Sequence, residues 1–176
     1  MRMSALKEVY LRLPPDLRDK LRGRFTQLLG ELSVLEELQK QGYDVELKSG
    51  RGGYDLLVNK KRIQVKACNI DDAWVKLRGI AGCSGVNPSK FDVLVYVELD
   101  DSLKNIAYYI FSRDETQNFP YASKEKKWDA RKYSESENRT LNNPFDPSHF
   151  NEMTMAQATE LNGLLKASLG RWDKIY

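Results

Sequence analysis

Asp55, Gln64 and Lys66 sit in two short strand-like runs, Tyr54-Asp55-Leu56-Leu57-Val58 and Arg62-Ile63-Gln64-Val65-Lys66. A carboxylate, an amide oxygen and an ammonium on one surface can hold a cation or a water beside an anion. Side chains two apart share a strand face, so Gln64 and Lys66 point the same way. Whether Asp55 joins them depends on the turn between the runs. A Lys60-Lys61 loop pairs Asn59 with Arg62 and sets Asp55 opposite Lys66, with Gln64 on a diagonal. An Asn59-Lys60 loop, which suits left-handed turn geometry better, sets Asp55 opposite Gln64 instead. Either loop keeps all three groups on one face, with opposed residues roughly 5 Å apart. The plainer reading is an ion pair between Asp55 and Lys66 on a solvated face, worth under about 1 kcal/mol.

A fourth group comes from the helical pattern that precedes the hairpin. Glu31 lies three after Leu28, four before Leu35 and seven before Leu38, on the margin of the Leu28, Leu32, Leu35, Leu38 stripe. An ionised carboxylate there is costly unless it is paired or bound to metal. Two readings are open: a border residue that reaches solvent along its stem, or a metal- or water-orienting carboxylate aimed at the hairpin. Gly30 beside it would allow close backbone approach.

The elements that must position these groups follow from the pattern along the chain. Ser4 to Leu13 reads as a short amphipathic helix stopped by Pro14-Pro15. A second helix is predicted from about Asp16 to Gln41, with Gly23 and Gly30 as weak points and Gly42 as its stop. Strands are predicted at Tyr43–Leu47, Tyr54–Val58, Arg62–Cys68 and Ala73–Leu77, then a Gly- and Ser-rich loop from Gly79 to Lys90. Phe91–Leu99 is the strongest strand and is expected centrally in the sheet, followed by Asn105–Phe111. No structure is predicted from Ser112 to about Asn151, and a last helix is expected from Glu152 to Leu169 on a Leu161, Leu164, Leu165, Leu169 stripe.

The 176 residues, with a net charge of +3, suit one domain: a core at about 16–111, a polar insertion at about 112–151 and a C-terminal helix at about 152–170. Cys68 and Cys83 are too few for a disulfide framework. The N-terminus lacks the apolar core of a signal peptide, and nowhere do about 18 apolar residues run together, so a cytoplasmic protein with no membrane partner is expected. No Cys/His metal spacing is present, and Gly50-Arg51-Gly52-Gly53 lacks the Lys-Ser/Thr of a phosphate-cradling loop. His149 stands without a partnering motif.

From Gly30 to about Cys68 the chain resembles the PD-(D/E)XK nucleases, in the subgroup that writes its last motif with Gln. The residues that carry the resemblance are Gly30-Glu31, the Leu-rich helix, Gly42-Tyr43, the Asp55 run and the Gln64-Val65-Lys66 run, in that order. It is similar to the cores of some intron-encoded and restriction enzymes and, more distantly, to archaeal junction resolvases. The resemblance implies an α/β fold with a restriction-endonuclease-like core, a mixed β-sheet flanked by helices, and metal-dependent hydrolysis of phosphodiester bonds in DNA. It further implies that Asp55 is the principal metal ligand, joined by the Gln64 side-chain oxygen, the Val65 backbone carbonyl and Glu31, directly or through water. Such hard oxygen donors suit Mg²⁺, with Mn²⁺ as a substitute. Lys66 would hold and polarise the attacking water or stabilise the developing charge. Gln64 departs from the commoner Asp or Glu and brings no charge, which weakens the expected hold on Mg²⁺. Asp71 and Asp72 are the acids nearest in sequence.

Lys48, Arg51, Lys61, Lys76 and Arg78, with Lys60 and Arg62, gather around this stretch and are candidates for phosphate contacts. Lys124-Glu125-Lys126-Lys127-Trp128 to Lys132 is a second candidate. Duplex cutting implies two sites, hence a homodimer or larger symmetric assembly. A non-catalytic DNA-binding subunit and an RNA-directed nuclease are the alternatives.

Overall fold

The computed structural model describes residues 3–48, 53–69, 90–99, 105–117 and 163–176. It is an α/β fold in which helices pack on a five-stranded mixed sheet. Helix α1 (Met3–Arg12) ends before the prolines, and α2 (Pro15–Lys40) begins on Pro15, where the missing N–H is not needed. Neither Gly23 nor Gly30 interrupts α2, and Gly42 follows it with φ +88°. α1 is clasped to α2 by Tyr10, whose ring lies 4.7 Å from that of Phe25 and whose hydroxyl donates to the Arg18 carbonyl.

The sheet comprises β1 (Val45–Leu47), β2 (Leu56–Val58), β3 (Lys61–Asn69), β4 (Val93–Leu99) and β5 (Asn105–Ser112), in that spatial order. All neighbours are antiparallel except β3 and β4, which run parallel. β4 is an interior strand with all seven residues buried, as its apolar run predicts. Leu29, Leu32, Val34 and Leu38 of α2 share one core with Ile63, Val65, Val93, Val95, Val97 and Ile110. That places α2 over the odd-numbered side of β3 and β4, and leaves Gln64 and Lys66 on the opposite side. The helix approaches the strand closely at Gly30, where an added Cβ would come within 2.4 Å of the Ala67 Cβ. The close approach expected of Gly30 is therefore present.

Two expectations need correction. Ser112 does not begin an irregular stretch, because Arg113–Gln117 forms a short helix, α3. Its start is a reciprocal cap: the Glu115 N–H donates to Ser112 Oγ at 3.2 Å, and the Ser112 N–H donates to Glu115 Oε2 at 2.7 Å. The last helix does not carry its apolar stripe to Leu169. Residues 163–168 are helical, Leu165 is buried, but Leu169 is exposed, bridges to Tyr109 and precedes Gly170 at φ +64°. A further turn, Trp172–Ile175, then buries Ile175 and sets Trp172 on Tyr108 at 4.9 Å. The strand expected at 73–77, almost all of the loop at 79–90, residues 118–151, His149 and Asp71 and Asp72 lie outside the described residues. Among the described residues no helix is long and apolar enough to cross a membrane.

Candidate active site

The hairpin resolves the register left open by the sequence. Val58 pairs with Lys61, so the loop is Asn59-Lys60, and both residues have positive φ, 48° and 69°. Two consecutive left-handed residues make the turn whose twist matches the flanking strands. The Asp55 N–H donates to the Ile63 carbonyl at 2.8 Å, which carries the pairing one step past β2. Asp55 thus falls beside Gln64, not Lys66.

Beyond Asp55 the β2 side of β3 has no strand partner among the described residues, and its peptide groups at Val65 and Ala67 are bonded by side chains. Asp55 Oδ2 accepts the Val65 N–H at 2.7 Å and the Gln64 amide at 2.5 Å. The Gln64 amide also donates to the Val65 carbonyl at 3.1 Å. From α2, the Gln27 amide donates to that same carbonyl at 2.9 Å and to Glu31 Oε1 at 2.8 Å, while its oxygen accepts the Ala67 N–H at 3.3 Å. The Gln27 amide therefore bonds β3 backbone groups at Val65 and Ala67 and ties Glu31 to the edge. Asp55 and Gln64 thus meet at the Val65 peptide, and Glu31 is linked to it through Gln27.

Electrostatics agree with that placement. Burial pushes the Asp55 carboxyl up to about 6; the Val65 N–H pulls against it, Glu31 raises it further, and Lys66 and the Gln64 amide lower it. Glu31 and Lys66 are thus both near enough for their charge to be felt. Lys66 is half-buried, shares the Gln64 face and lies beside Tyr96 of β4. Glu31 is half-buried and accepts a hydrogen bond from the Gln27 amide.

The basic residues fare differently. Lys48 is joined to the Asp55 strand, its N–H donating to the Asp55 carbonyl at 2.8 Å, but its ammonium is paired with Glu46. Lys61 lies on the core side of β3, and its ammonium is held by the Lys174 carbonyl at 3.4 Å and the Tyr176 carbonyl. The structure does not bring its charge to the site. Arg62 is committed to Asp92 through both carboxylate oxygens, at 3.1 and 3.0 Å. Arg51, Lys76 and Arg78 lie outside the described residues, as does the side chain of Cys68. Gln27 was not singled out in the sequence, although its spacing of four from Glu31 is the signal of a helix-surface pair.

The donor set suits a hard cation. Glu31, Asp55 Oδ1 and the Val65 carbonyl are oxygens, and Oδ1 carries no hydrogen bond among the described residues. Gln64 presents its amide nitrogen to Asp55 and Val65, so a half-turn of the amide is needed before its oxygen can serve. Among the described residues no group of three or more His, Cys, Asp or Glu side chains that could hold a metal ion comes together. No family model and no curated protein matches the chain.

Proposed function

We propose that this protein is a metal-dependent endonuclease that hydrolyses phosphodiester bonds in DNA, on a restriction-endonuclease-like core. The observation that carries the reading is the linkage of Glu31, Asp55 and Gln64 at Val65: Asp55 accepts the Val65 N–H, the Gln64 and Gln27 amides donate to the Val65 carbonyl, Gln27 also holds Glu31, and Lys66 is close enough to act on Asp55. The charge of Glu31 adds to burial in raising the Asp55 carboxyl, a cost that a bound cation would relieve.

Glu31, Asp55 and the Val65 carbonyl would hold Mg²⁺ or Mn²⁺, with the Gln64 oxygen after its amide turns. When bound, that ion supplies Lewis-acid stabilisation of phosphoryl oxygens and a water of lowered pKa. Asp55 and Gln27 brace the β3 edge, and the turn that presents the Gln64 oxygen would also free a lone pair of the Val65 carbonyl. Lys66 shares the Gln64 face of β3, where its ammonium would orient the attacking water and oppose charge that builds on the phosphate. Water attacks phosphorus, the bond to the leaving oxygen breaks, and that oxygen is protonated from solvent. Two such sites are needed for both strands of a duplex, which favours a homodimer or larger symmetric assembly.

The Gln64 amide nitrogen on Asp55 favours a second reading, a DNA-binding subunit without catalysis. Cleavage of supercoiled, linear, single-stranded and four-way-junction DNA with Mg²⁺, Mn²⁺ or EDTA separates the two. Metal-dependent cutting lost in folded Asp55→Ala and Lys66→Ala supports the enzyme. Binding without cutting by the wild type supports the second reading.

A further inference from the structure

The line of α2 that carries Glu31 continues in both directions, and its two ends differ. Positions 20, 24, 27, 31, 35 and 38 fall within roughly 60–80° of one another at 3.6 residues per turn. Leu38 is fully buried and Leu35 half-buried against the sheet; Gln27 and Glu31 are half-buried on the β3 edge; Arg24 and Lys20 are exposed. The line therefore leaves the core, passes through the candidate site and emerges into solvent as a row of cations. α1 does not cover it, because Tyr10 packs on Phe25 and Arg18, more than about 90° around the helix from Glu31. Neither Lys20 nor Arg24 has an ion pair or hydrogen bond among the described residues, whereas Lys48, Lys61 and Arg62 are all engaged. Asp16, four residues before Lys20, ends the row.

We propose that Lys20 and Arg24 form a phosphate-binding track that receives duplex DNA on its way out of the Glu31–Asp55–Lys66 site. The proposal rests on the nucleic-acid part of the function proposed above. At about 1.5 Å per residue, Arg24 and Lys20 stand about 10 and 16 Å along the helix from Glu31. A duplex strand offers a phosphate every ~3.4 Å of axis, so two exposed cations at that reach span a few nucleotide steps. The guanidinium and ammonium reach phosphates without reading bases, so the track adds affinity and orientation but no sequence preference.

The test is binding of a fluorescent DNA duplex to the full chain in EDTA, followed by anisotropy across a salt series. Lys20→Ala/Arg24→Ala is compared with wild type and with Lys40→Ala, a lysine of the same helix paired with Glu37 at 3.7 Å. The double variant is expected to bind roughly tenfold or more weakly at about 0.1 M salt, and its log-log salt slope to fall by about 2. The Lys40 variant should match wild type. Wild-type binding with a steep salt slope that the double variant retains overturns the track and leaves the nuclease reading intact. Loss of binding in the double variant, with a wild type that cuts nothing, upholds the track while the nuclease reading fails. Absence of DNA binding by wild type overturns the track and the DNA reading together.

Discussion

Two aspartates flank β3, and their surroundings are opposites. Asp92 accepts the Arg62 N–H at 2.9 Å, both arms of the Arg62 side chain, and the Arg113 guanidinium. Those donors, the Arg62 side chain foremost, overcome partial burial and hold its carboxyl down at about 2. Asp55 accepts the Val65 N–H in the same way, but its next neighbours are an amide and a carboxylate, and burial carries it up to about 6. Asp92 ties together the start of β3, the start of β4 and the end of β5, with Arg113 also donating to the Phe91 carbonyl at 2.8 Å. It is a structural clamp with its hydrogen bonds complete. Asp55 holds the edge of β3 while keeping Oδ1 without a hydrogen bond among the described residues, and Lys66 offsets the cost of its charge only in part.

The same substitution at the two positions should therefore have opposite signs. A carboxyl raised from 3.8 to about 6 is unfavourable for folding once ionised: no cost below pH 3.8, a cost growing as pH rises toward 6, and a plateau above. At about 1.4 kcal/mol per pH unit the ceiling is about 3 kcal/mol. Asp55→Asn in EDTA at pH 7.5 should raise unfolding stability by about 1–3 kcal/mol, with the gain vanishing near pH 4; urea titration across pH measures it. Asp92→Asn should instead lower stability by about 1.5–3 kcal/mol, the usual worth of hydrogen bonds to a charged group. Its wild-type contribution is present above pH 3.8 and is lost as pH falls through about 2, so the deficit should shrink in acid. Two changes of equal sign would break the comparison.

Glycine substitutions sharpen it by moving Glu31 relative to Asp55. Gly30→Ala forces a contact with Ala67 and should cost about 1–3 kcal/mol by overpacking. Gly23 has open space around its Cβ position, so Gly23→Ala should stabilise by up to about 1 kcal/mol through helix propensity. Differential scanning calorimetry of the pair separates helix preference from close approach. Gln27→Ala is the smallest change: about 1 kcal/mol for its lost hydrogen bonds. It should also give a Mn²⁺ affinity several-fold weaker by calorimetric titration, because Glu31 loses its brace.

Much of this site is legible in the sequence because it is local. The hairpin puts Asp55 and Gln64 together through a two-residue turn, and alternation does the rest. Glu31 and Gly30 are legible as departures from an apolar stripe. The two loop registers could not be separated until the positive φ of Asn59 and Lys60 showed which pair turns. Gln27 was hidden because a polar helix residue has no mark of a strand edge that lacks a partner. Arg62 reads as a free cation until Asp92, thirty residues on, is paired with it across parallel strands. Lys61 is similarly claimed by carbonyls at 174 and 176. Helix α3 was legible and missed: Ser112-Arg113-Asp114-Glu115 is a capping-box spacing.

The central claim is that Asp55 and not Asp92 does chemistry. Its most direct test is cleavage of a supercoiled plasmid in Mn²⁺ by wild type, Asp55→Asn and Asp92→Asn, at matched folded concentration and below the unfolding range of each. Wild type and Asp92→Asn are expected to cut, with at least about a hundredfold loss in Asp55→Asn despite its greater stability. Cutting by Asp55→Asn at the wild-type rate, or loss confined to Asp92→Asn, would contradict it.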